Sequence, residues 1–62
     1  MPDIHGNVVR IAKKKNIPIY RLEKEAGLSA GTISKWKQIT PRVSSLIAVA
    51  EVLEEKVEVL LG

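Results

Sequence analysis

Apolar residues recur along this chain at helical spacing, in stretches punctuated by glycine, proline and asparagine. Val8, Ile11 and Ala12, with Lys15 in the same register, share one face by i, i+3, i+4 spacing. They predict a first helix capped by Asp3 or Asn7 and running to about Lys15, with Asp3-Ile4-His5-Gly6-Asn7 as a frayed lead-in. Asn16 ends this helix and Ile17 drops into the core. Pro18 suits the first position of a second helix, where its missing N–H is not needed. Helix two runs to about Ala26 with Ile19, Leu22 and Ala26 inward, and Gly27 stops it, because a left-handed residue costs glycine least. Ser29 is placed to cap a third helix, from Ala30 to about Gln38, with Ile33 and Trp36 inward. Ile39-Thr40-Pro41-Arg42 reads as a loop, in which Pro41 biases Thr40 towards extended backbone.

From Val43 onward the pattern is strongly helical, with Thr40 or Ser44 placed to cap it. Val43, Leu46, Ala50, Leu53, Val57 and Leu60 fall on one stripe, which explains the short alternation Val57-Glu58-Val59 as well as a strand would. The fold class is therefore all-α, a compact bundle of four to five helices. Two arrangements of the last third stay open. Glu54, Glu55 and Lys56 are good helix formers with no breaker among them, so helices four and five can fuse from about Val43 to Leu61. A fused helix would carry a heptad-like seam through Leu46, Ala50, Leu53, Val57 and Leu60, and would project from the body. Leu53, Val57, Leu60 and Leu61, with the apolar Ile39 and Ile47, would then form the contact of a homodimer, with the helices exchanged between chains. The alternative is a monomer with a tight turn at Glu54-Glu55-Lys56.

Composition narrows the picture. Sixty-two residues make one small domain, residues 1–62, and its core must be aliphatic, since Tyr20 and Trp36 are the only aromatic residues. The net charge of +3 divides unevenly: residues 1–42 carry +6 and residues 43–62 carry −3. A basic front and an acidic back suit a module that docks on a polyanion with one face. Lys13, Lys14 and Lys15 are better explained as cations at the negative end of a helix than as direct contacts. No apolar run approaches the ~20 residues of a membrane span, and no signal-peptide pattern opens the chain, so the expected location is cytoplasmic.

The segment Leu22-Glu23-Lys24-Glu25-Ala26-Gly27-Leu28-Ser29-Ala30-Gly31-Thr32-Ile33-Ser34-Lys35-Trp36 has the layout of a helix-turn-helix, whose second helix usually enters the DNA major groove. Together with Pro41-x-Val43-x-x-Leu46-x-x-Val49-Ala50-x-x-Leu53 and Val57-x-x-Leu60-Leu61, it resembles the Cro and phage-repressor type of helix-turn-helix domain, a five-helix fold, over about Val8 to Gly62. The resemblance implies sequence-specific binding of double-stranded DNA by a transcriptional repressor, usually as a two-fold dimer. The face it implies for reading bases is Ser29, Ala30, Gly31, Ser34, Lys35 and Gln38. Lys35 can reach guanine acceptors and Gln38 adenine, whereas Ala30 and Gly31 offer no side-chain hydrogen bond and limit specificity. In the family the start of helix two abuts a phosphate, where Tyr20 can donate its hydroxyl. Arg21, Thr32, Lys37 and Arg42 are further phosphate candidates, with Arg10 a weaker one. Arg21 and Lys24 can equally pair with Glu25 on the helix surface. Trp36 matches the buried residue of helix three. Glu23 departs from the family, which often has a small residue there, and its carboxylate needs a partner or solvent.

Catalytic chemistry has little to be built from. His5 is the sole histidine, cysteine is absent, and no glycine-rich phosphate loop is present, so neither an enzyme nor a metal or cofactor site is expected. Two further readings stay open: a helix-turn-helix fold used as a homodimeric protein-interaction module, and an altered or designed repressor domain. The sequence suggests no pocket for an inducer, and sensing is expected to need another domain.

Overall fold

The computed structural model describes residues 3–62 as five helices, with no strand among the described residues: α1 (Ile4–Lys14), α2 (Ile19–Glu25), α3 (Thr32–Lys35), α4 (Val43–Leu53) and α5 (Val57–Leu61). The Asp3 carboxylate accepts from the Gly6 N–H at 2.9 Å. This N-cap starts α1 at Ile4, so the expected frayed lead-in is helical and His5 lies half-buried within it.

Three helices stop by the same device. After α1, α2 and α4 a left-handed residue follows, and two backbone N–H groups turn back onto orphan carbonyls. Asn16 (φ 59°) and Ile17 bond to the carbonyls of Lys13 and Ala12, and Gly27 (φ 75°) and Leu28 to those of Lys24 and Glu23. Glu54 (φ 57°) and Glu55 bond to those of Glu51 and Ala50. Glycine and asparagine take this conformation readily, but Glu54 does so at a cost of about 1–2 kcal/mol.

That cost is set against burial of the last helix, and the balance decides between the two arrangements of the last third. Helices four and five are separate, and α5 folds back onto α1. Leu60 is 0% exposed in the core and Val57 packs against it. Burying a leucine contributes about 1.5–3 kcal/mol, and Val57 adds to it. The Asn7 side chain donates to the Leu60 carbonyl at 2.8 Å, and Lys15 pairs with Glu55 at 3.4 Å. These gains outweigh the left-handed Glu54, and local helix propensity yields to them. Leu53 and Leu60, expected at a subunit contact, are instead fully buried within their own chain.

The core runs through all five helices: Val8, Ile11 and Ala12 of α1, Leu22 of α2, Ile33 of α3 beside Trp36, Leu46, Val49, Ala50 and Leu53 of α4, and Leu60 of α5. Trp36, just after α3, is buried in the core, as its position implied. Two expected faces need correction: Val43, placed on the stripe of the last third, is 69% exposed, and Lys15, placed in register with Val8, Ile11 and Ala12, faces solvent and pairs with Glu55.

Candidate nucleic-acid interface

The helix-turn-helix is built by α2, the Gly27 turn and α3, with α2 packed on both α3 and α4. Its details differ from expectation at each helix start. Pro18 is the N-cap of α2 rather than its first residue, with extended backbone. Arg42 is the N-cap of α4, again extended and without a side-chain cap, so neither Thr40 nor Ser44 caps that helix. At α3 the N-cap is Gly31, left-handed at φ 85°, not Ser29. Ser29 contributes its backbone carbonyl, which accepts from the Thr32 N–H at 3.1 Å.

The third helix is therefore only Thr32–Lys35, shorter than the expected span from Ala30 to Gln38. Beyond it the chain keeps winding. The N–H groups of Trp36, Lys37 and Gln38 reach back three residues, to the carbonyls of Ile33, Ser34 and Lys35. This tighter winding carries Lys37 and Gln38 on from the end of α3.

One side of this segment is buried through Ile33 and Trp36, and the other is open. Ser29, Ala30, Gly31, Ser34, Lys35 and Gln38 are all exposed, so every residue of the expected reading face is available to a ligand. Thr32 is half-buried, and Tyr20 stands 75% exposed near the start of α2. Lys37, Arg42 and Arg10 are exposed. Arg10 hydrogen-bonds the Asn7 side chain on its own helix at 3.2 Å. Arg21 is engaged by Glu25 one turn later, the surface pairing that its sequence position allowed. Lys35, Lys37 and Arg42 make no ion pair among the described residues.

A shallow groove joins the turn to the start of α4. Ser29, Thr32, Thr40, Arg42 and Ser45 line it, with Trp36 and Pro41 among its apolar members. It brings together Ser29, Thr32 and Arg42, which lie apart in sequence. Thr40 and Ser45 are additions that sequence reasoning did not assign to the interface. The clue available was a pair of hydroxyl residues flanking Arg42.

Glu23 resolves the question its position raised. It is buried, 5% exposed, and its two carboxylate oxygens accept from the backbone N–H groups of Gly31 at 3.2 Å and Ile33 at 3.0 Å. The partner of this carboxylate is the start of α3 itself. Among the described residues no cluster of histidine and acidic side chains is placed to hold a metal ion, and no helix is long and apolar enough to cross a membrane.

Five helices among the described residues, with a glycine turn between α2 and a short α3 that is buried on one side through Ile33 and open on the other, define a helix-turn-helix domain with exposed basic and hydroxyl-bearing residues. The Cro/C1-type HTH DNA-binding domain matches residues 7–62 as a family model, and the chain belongs to that family. Comparisons with curated proteins and with solved structures find no match. DNA is accordingly the partner class of this chain.

Proposed function

We propose that residues 1–62 act as one sequence-specific DNA-binding unit, a transcriptional repressor of phage or prophage type. The observation that supports this reading is that Ser29, Ala30, Gly31, Ser34, Lys35 and Gln38 are all exposed while Ile33 and Trp36 among them are buried, and the reading takes the six as one face. In the proposal this face enters the major groove, where Lys35 reads guanine and Gln38 adenine. Tyr20, Arg21, Thr32, Lys37 and Arg42 contact the flanking phosphates, with Thr40 and Ser45 added from the groove beside α4. The charge of +6 over residues 1–42 supplies the sequence-independent attraction.

The unit acts on a two-fold operator as a homodimer. Apolar side chains left uncovered support this: Ile39 is 57% exposed, Ile47 43% and Leu61 41%. The contact is rebuilt around these residues and the half-buried Val57, since Leu53 and Leu60 are consumed by the core. Fluorescence anisotropy of a labelled duplex of arbitrary sequence, titrated at several salt concentrations, tests the first step. Binding that weakens steeply with salt is expected. Absence of binding at low salt would favour the protein-interaction reading instead.

A further inference from the structure

We propose that Glu23 is the positioning residue of the reading helix, and that it sets how well the chain discriminates between DNA sequences; this rests on the DNA-reading assignment above. α3 spans four residues, Thr32–Lys35. A helix that short has no stability of its own, so its direction must come from what holds it. Ile33 and Trp36 hold it from the core side. Its start has no side-chain cap of its own: the N-cap is Gly31, which has no side chain to offer and sits at φ 85°, and Ser29 gives only its backbone carbonyl, to the Thr32 N–H.

Glu23 reaches across from α2 and supplies the missing cap. One carboxylate oxygen takes the Gly31 N–H and the other the Ile33 N–H. A single contact would let the helix start swing about it, whereas two acceptors fixed on one carboxylate, set against amides two residues apart, restrain rotation as well as position. The bonds are charge-assisted, and the charge faces the positive end of the helix. At 5% exposure the carboxylate has little water to fall back on, so the arrangement is held firmly.

The functional consequence follows from what the face lacks. Ala30 and Gly31 have no polar side chain, so from the start of α3 onward base discrimination falls on Ser34, Lys35 and Gln38. Their angle of approach depends on how α3 leaves the turn. Phosphate contacts from flexible cations such as Lys37 and Arg42 tolerate a small rotation of α3. Bidentate contacts to base edges do not.

The test compares the wild-type chain with Glu23→Gln and Glu23→Ala. Glutamine keeps the size of the side chain but sets an NH2 donor against a backbone N–H. Two-dimensional amide spectra without DNA report the anchor directly. In both variants the Gly31 and Ile33 amides are expected to shift and to lose protection from exchange, while Trp36 emission stays that of a buried indole. Affinity is then measured for a duplex selected by the wild-type chain and for a scrambled duplex of equal length. The ratio of the two is expected to fall about tenfold in Glu23→Gln, the size of one misaligned base-edge contact, with affinity for the scrambled duplex unchanged. An unchanged ratio, or a parallel fall of both affinities in step with the folded fraction, would overturn the role of Glu23. A wild-type chain that does not discriminate between the duplexes would overturn the DNA-reading assignment, while the amide spectra still report whether Glu23 anchors α3.

Discussion

The side-chain amide of Asn7 donates to the backbone carbonyl of Leu60 at 2.8 Å, joining residues 53 positions apart. The bond ties the first helix to the last turn of the chain, where Leu60 is fully buried. It satisfies a carbonyl that the short α5 cannot bond internally. Asn7→Ala is expected to cost about 1 kcal/mol, because it leaves a part-buried carbonyl without its donor. Leu60→Ala is expected to cost about 2–5 kcal/mol through reduced burial and the cavity it leaves. Urea unfolding followed by circular dichroism measures both. If the Leu60 variant unfolds at the wild-type midpoint, α5 does not pack as described.

Glu54 makes the turn that lets α5 return. Its left-handed backbone at φ 57° suits glycine, which adopts it without strain. Glu54→Gly is therefore expected to stabilise the fold by about 1 kcal/mol, the strain relieved being partly offset by the greater freedom of glycine in the unfolded chain. Thermal melts of the two chains decide it. A lowered melting temperature would show that the turn is not the conformation the chain holds in solution.

Lys35 and Gln38 carry the long polar side chains of the proposed reading face. Their joint replacement by alanine is expected to remove most discrimination between a selected duplex and a scrambled one. Each side chain that pairs with a base edge is worth about 1–3 kcal/mol of that discrimination. The salt-dependent affinity for the scrambled duplex should largely persist. Arg42→Ala should behave in the opposite way, weakening binding to every sequence alike and lowering the salt slope by about 1. Competition titrations at two salt concentrations separate the patterns.

Ile39 and Ile47 remain uncovered in the single chain. Sedimentation equilibrium of the wild-type chain is expected to show a concentration-dependent dimer, and Ile47→Glu a monomer, since a buried unpaired carboxylate opposes the contact. A wild-type chain that stays monomeric at high micromolar concentration contradicts the homodimer.

The sequence revealed those features that local chemistry dictates. Asn16 and Gly27 announced two of the helix ends, and the spacing of Val8, Ile11, Ala12, Leu22, Ile33 and Trp36 marked the inward faces correctly. The break between α4 and α5 was open because it is made by Glu54, a good helix former, and enforced by burial of Leu60 against α1 from far along the chain. The cap of α3 was hidden for the same reason. Its acceptor is Glu23, on the preceding helix, while Ser29, the residue with the local capping signature, uses only its backbone. The exposure of Ser29, Ala30, Gly31, Ser34, Lys35 and Gln38, the proposed reading face, was legible once Ile33 and Trp36 were assigned inward. The groove that adds Thr40 and Ser45 was not, because it depends on where the start of α4 lies against the turn.

Selection of bound sequences from a pool of random duplex DNA, at two salt concentrations, tests the central claim most directly. Enrichment of a two-fold symmetric motif at the higher salt is the predicted result, with a half-site spacing set by the dimer. Binding that disappears with salt and enriches no motif would contradict sequence-specific recognition by the face of α3.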